Sequence, residues 1–199
     1  MNRRHAGLFL AFWFTALFTS GCFFTPREAQ DPGGEQITYI EQSSPENVIA
    51  NIETALSHRD PAGYERQIAE EFSYQPDSDT EASYPGVDWL GWDREQEFAF
   101  MSDFLGNVDG VAVDMKDVEI FTQWSGSEAE LRYIYRAEVT EGGGEVPYRA
   151  SVTLEFRLDG TFWVLTRWFD EQGEEDPGTG SPLPSLGQRR GAFAAAGGG

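Results

Sequence analysis

Cysteine is nearly absent from this chain: position 22 holds the only one in 199 residues. A single thiol excludes an internal disulfide framework and a thiolate zinc site, each of which needs several sulfurs. Histidine is almost as scarce, with His5 near the start and His58 the only other. That removes His-x-x-x-His metal motifs and nucleophile–histidine triads. Lys116 is the sole lysine, and 14 basic residues face 34 acidic ones, for a formal charge of −20. Such a field repels nucleic acid and anionic lipid heads, so no nucleic-acid partner is expected. The acids are scattered among aromatics, which suits a soluble, folded, acidic surface. They do not build a calcium loop, because Asp77-Ser78-Asp79 lacks the turn glycine and the closing glutamate. No metal and no cofactor are expected.

What is there begins with a leader. Arg3 and Arg4 precede an apolar run from Ala6 to Phe18, and no acid appears before Glu28. A basic start, an apolar core and small residues after it make a secretory signal peptide. The run is shorter than the roughly 18 residues a membrane-crossing helix needs. Ser20-Gly21-Cys22 resembles a bacterial lipobox, with Thr19 departing from the large aliphatic residue usual there. The resemblance implies cleavage after Gly21 and lipidation of Cys22, hence a membrane held through a lipid anchor. Phe23 after the cysteine implies the outer membrane if the cell has two. Removing Arg3 and Arg4 from the 14 basic residues leaves 12 against 34 acidic.

Residues 22–42, with Pro26, Pro32, Gly33 and Gly34, read as a flexible tether that reaches about 25 Å on average. Residues 173–199, rich in Gly, Pro and Ala, read as a disordered tail. One domain of ordinary size, residues 43–172, lies between. Ser44-Pro45 starts a helix bearing Val48, Ile49, Ile52 and Leu56 on one face. His58 at its end suits the helix dipole better than catalysis. Asp60-Pro61 starts a second, with Tyr64, Ile68 and Phe72 at four-residue steps, and Phe72-Ser73-Tyr74 reads as a short strand. Asp93, with Gln96 closing a capping box, starts a third whose apolar face is Phe98, Met101 and Leu105.

After Gly106 the period becomes two. Val111, Val113 and Met115 alternate, and Val118, Ile120, Thr122 and Trp124 continue on the other parity, which predicts a bulge near Lys116-Asp117. Residues 129–139 and 146–158 make long strands with one buried face. An Asp159-Gly160 turn predicts a hairpin pairing Leu158 with Thr161, Phe156 with Trp163 and Leu154 with Leu165. That register sends Phe162, Val164 and Trp168 to the outer face, a candidate homodimer surface. It also sets Asp170 opposite Arg149 as a cross-strand ion pair.

This order of helices, short strand, helix and long antiparallel strands resembles the NTF2-like (SnoaL-like) fold. The match lies in the SPENVIANIETALSHRDPAGYERQIAEEFSYQP opening, the WDREQEFAFM helix and the LEFRLDGTFWVLTRWFDE hairpin. The resemblance implies an α+β cone: N-terminal helices packed on a strongly bent, mainly antiparallel sheet, with a pocket at the open end. Candidate pocket or interface residues are Trp89, Trp92, Tyr133, Tyr135, Phe162 and Trp168. No catalytic residue stands out. The expectation is a non-catalytic envelope lipoprotein binding a small apolar ligand or a protein. The alternative is a SnoaL-like enzyme moving a proton with a pocket carboxylate. Asp170, Asp103 and Asp114 are its candidate bases, and Tyr133 or Tyr135 its donor.

Overall fold

The structure, a computed structural model, describes residues 36–117, 123–171, 178–180 and 183–198. The expected leader, Cys22 and most of the tether lie outside the described residues, as do Val118, Ile120 and Thr122. Among the described residues no helix is long and apolar enough to cross a membrane.

Helix α1, Pro45–Ser57, is capped by Ser44, whose hydroxyl accepts from the Asn47 amide at 3.3 Å. Its inner face is Val48, Ile49, Ile52, Ala55 and Leu56, as the four-residue spacing predicts. His58 is the C-cap, with Nδ1 set 2.9 Å from the Thr54 carbonyl. Asn51, buried on the same face, accepts from the Ile40 amide and donates to the Ile40 carbonyl, both at 2.8 Å. Tyr39 donates to Asp60 Oδ2 at 2.7 Å, and the Trp163 amide donates to the Gln42 carbonyl at 2.8 Å. Residues 39–42 are therefore part of the domain rather than the end of a tether.

Helix α2 is only Pro61–Glu65, and strand β1, Ile68–Gln75, takes the place of the rest of the expected second helix. The spacing Tyr64, Ile68, Phe72 could not separate the two, since a four-residue step suits a helix turn and is also twice the strand period. Pairing decides: β1 runs parallel to the last strand, with Ile68 beside Leu165 and Tyr74 beside Trp168. A short helix α3, Ser78–Ser83, and a 3-10 turn, Trp89–Gly91, lead to α4, Arg94–Asn107. The Asp93–Gln96 capping box is present. The buried face is Glu97, Phe100, Met101, Phe104 and Leu105, turned from the expected one, and Phe98 is half-buried.

Strands β2 (Gly110–Asp117), β3 (Gln123–Ser125), β4 (Glu128–Glu141), β5 (Gly144–Asp159) and β6 (Phe162–Asp170) follow. The sheet order is β1-β6-β5-β4-β2, with β3 also on β4, and only the β1–β6 pair is parallel. Along β4 every second residue from Ala129 to Val139 is buried, as its alternation predicts.

The closing hairpin differs from expectation. The turn is Gly160-Thr161, with Gly160 at φ +63, and Asp159 pairs with Phe162. Phe156 then pairs with Leu165 but Glu155 with Arg167, which leaves Thr166 as an extra residue. This bulge switches parity. Trp163 and Leu165 face inward before it, Trp168 and Asp170 after it. Trp168 thus leaves the outer face, and Asp170 lies opposite Val152 rather than Arg149.

The second correction concerns the tail. Residues Leu186–Ala195 form helix α5, with Leu186, Gly187, Arg190 and Gly191 buried. Composition reads this segment as disordered because it carries too little apolar surface to fold alone. It is ordered by acceptors and rings that the rest of the domain has already assembled.

Candidate functional site

The inner face of the sheet, α4 and the 74–92 region surround a small volume lined by aromatic rings and two carboxylates. Tyr74 enters from β1, Tyr135 from β4, Trp168 and Asp170 from β6, Glu97 and Phe100 from α4, and Tyr64 from α2. Trp89 and Trp92 stack at 5.5 Å, and Tyr74 meets Trp92 edge-on at 5.7 Å. Arg190 of α5 fills the centre.

Glu97 and Arg190 are both completely buried, at 0 % exposure. Arg190 Nε donates to Oε2 at 2.9 Å and Nη2 to Oε1 at 2.6 Å, a bidentate pair. Glu97 accepts twice more, from Tyr64 Oη at 2.7 Å and Trp92 Nε1 at 2.9 Å. Burial alone would raise the carboxyl's pKa, but the Arg190 charge and these donors outweigh it and hold the pKa below the usual range. The guanidinium lies over three rings, 4.3 Å from Tyr74, 4.9 Å from Phe100 and 5.4 Å from Trp168. Its Nη1 finds no acceptor among the described residues.

Asp170, also fully buried, accepts from Tyr74 Oη at 2.7 Å and Trp168 Nε1 at 2.8 Å. Burial pushes its pKa up to about 6, against the pull of Arg190 and the two donors. Tyr74 and Tyr135 are pushed well up by burial and by the Asp170 charge. The Asp170–Tyr74 pair has the parts of an acid–base couple at neutral pH. Among the described residues no group of three or more His, Cys, Asp or Glu side chains could hold a metal ion.

Helix α5 is seated by further contacts. The Leu186 amide donates to Tyr135 Oη at 2.6 Å, serving the helix start in place of Ser185. Ser185 instead donates to Asp77 Oδ2 at 3.1 Å, and Gln188 to Thr80 Oγ1 at 2.9 Å. Phe193 meets Phe100 edge-on at 5.9 Å. Tyr84, Val87, Asp88, Trp92 and Gln96, with Ala194 of α5, line a groove of about 600 Å³ at the mouth of this site.

Of the expected residues, the structure gathers Trp89, Trp92, Tyr135 and Trp168 here. Tyr133 is buried on the inner face of β4, and Phe162 lies outside, 47 % exposed. Asp170 is in the site, while Asp103 and Asp114 are exposed. The sequence reading missed Glu97, Tyr74, Tyr64 and Arg190. Glu97 carried a signal, since it opens the stripe Glu97, Phe100, Met101, Phe104 with full helical spacing. Arg190 carried a weaker one in its flanking Gly187 and Gly191.

Solved structures with this architecture support the fold. A protein provisionally named as an aromatic ring hydroxylase from Novosphingobium aromaticivorans matches with TM-score 0.54 at 14% identity, covering 68% of this chain and 91% of that one. A provisionally named scytalone dehydratase from the same organism gives 0.52 at 12%, covering 63% and 78%. An NTF2-like protein of unknown function from Pseudomonas putida gives 0.51 at 16%, covering 73% and 94%. No protein-family model and no curated protein matches the chain. The described domain has the α+β NTF2-like fold.

Proposed function

We propose that this chain is a bacterial envelope lipoprotein, anchored through lipid on Cys22, whose NTF2-like domain binds a ligand or protein without catalysing a reaction. One observation carries the non-catalytic reading: the chain's own Arg190 occupies the centre of the cone, paired with Glu97 and stacked on the pocket rings. A catalytic carboxylate needs a substrate in that space. The aromatic walls and the groove at the mouth suit an apolar ligand or a partner's side chains. The anchor rests on the leader and on the four residues ending at Cys22. In a cell with two membranes, Phe23 after the cysteine favours the outer one.

Protein purified from its own membranes tests the anchor. Mass spectrometry of the N-terminal peptide is expected to find a triacylated Cys22 as the first residue. A free thiol there, in a detergent-independent fraction, overturns it.

Asp170 favours a second reading, because a carboxyl with pKa about 6 beside a tyrosine is a serviceable base. Solvent deuterium exchange into small enolisable ketones, compared between the wild type and Asp170→Asn, separates the two. Exchange that depends on Asp170 would establish the enzyme; its absence supports the binding module.

A further inference from the structure

Arg190 sits as a bound ligand sits. Its carboxylate partner is held by two other donors, Tyr64 and Trp92, so Glu97 is oriented independently of the arginine. Three rings form a cage round the guanidinium. Two buried carboxylates, Glu97 and Asp170, face this cation, and its Nη1 has no acceptor among the described residues. A cage with a surplus of anionic groups selects for positive charge. The segment delivering Arg190 is weak as a helix. It has ten residues, glycines at 187 and 191, and no side-chain cap from Ser185. It follows a Gly- and Pro-rich stretch that joins it to β6.

Resting on the binding reading above, we propose that the cone is a guanidinium site, shut by α5, and that its external ligand is an arginine-bearing peptide that displaces α5. The geometry also sets the sequence round that arginine. A Cβ at Gly187 would lie 2.5 Å from Tyr74 Oη, and one at Gly191 would lie 2.2 Å from the Tyr84 ring. The ligand therefore carries glycine three residues before the arginine and one residue after it. A lysine would not replace the arginine, because it cannot span both Glu97 oxygens with two parallel donors.

The probe is a labelled peptide with the sequence of residues 183–197. Gly191→Leu in the full chain opens the site, since the new side chain collides with Tyr84 and expels α5. This variant is expected to bind the probe at least 100-fold more tightly than the wild type, where α5 competes. A peptide with neutral citrulline at the position of Arg190 is expected to bind at least 30-fold more weakly. Equal binding of the two peptides, or none by a folded variant, overturns the proposal. Should Gly191→Leu not fold, hydrogen exchange on the wild-type chain gives the same decision. Saturating probe must speed exchange of the 186–195 amides, and unchanged protection overturns displacement. An apolar fluorescent dye added to the opened chain separates the two levels. Dye binding without peptide binding removes only the ligand class, and binding of neither removes the binding reading as well.

Discussion

Truncating Arg190 to alanine tests the centre of the site most directly. The change removes both charge-assisted bonds to Glu97, at 2.9 and 2.6 Å, and the cation over three rings. Glu97 keeps Tyr64 and Trp92 as donors but no positive charge, at 0 % exposure. Deleting one partner of a buried ion pair costs about 3–5 kcal/mol, because the other charge is left uncompensated. For a chain of this size that is a fall in Tm of roughly 6–20 °C. Urea unfolding followed by tryptophan fluorescence measures it, and hydrogen exchange locates it, with the 186–195 amides losing protection first. The pair itself is a different matter. Arg190→Met combined with Glu97→Gln removes both charges and keeps an amide oxygen as acceptor for the Tyr64 and Trp92 donors, and is expected to be more stable than Arg190→Ala. A loss below about 1 kcal/mol for Arg190→Ala, or a double variant no better than the single one, would refute the buried-pair reasoning.

The raised pKa of Asp170 gives a pH dependence of opposite sign to that of Glu97. Its folded-state pKa of about 6 lies above the ordinary 3.8, so its contribution is full below about pH 4 and is lost as pH rises through 6. The loss is about 3 kcal/mol, and unfolding curves across pH 4–8 should show Asp170→Asn abolishing it. Glu97, held low, adds stability that disappears only as pH falls through its depressed value. Deleting Thr166 should leave the chain folded by circular dichroism, since it removes the extra residue and lets Leu165, Trp168 and Asp170 alternate inward in a regular ladder opposite Phe156, Leu154 and Val152; an unfolded deletion variant would disprove the bulge argument. With Trp168 buried at 1 % exposure, Phe162 and Val164 remain of the three residues expected on the outer face. If that face pairs copies, Phe162→Glu should shift sedimentation of a dimer to monomer, and an unchanged dimer would exclude it.

Much of the architecture was legible locally. Ser44, Asp60 and Asp93 mark helix starts through chemistry contained in four residues, and each caps as its type predicts. The alternation of β4 needs only its own period to name the buried face. The failures share a cause. The step from Tyr64 to Phe72 fits two periods, and only the partner strand β6 chooses between them. Thr166-Arg167, two polar neighbours in an alternating strand, did mark the bulge, but a hairpin register extrapolated from its turn passes straight over it.

The amino-acid sequence by itself determined the order of elements, the caps and the inward residues of the regular strands, because those depend on neighbours a few positions away. The tertiary structure alone decided that Asp170 and Trp168 point inward and that a Gly- and Ala-rich tail becomes a helix. It also decided that Glu97 belongs inside. A carboxylate is read as solvent-facing until its counter-charge is known, and here that charge is 93 residues further along the chain.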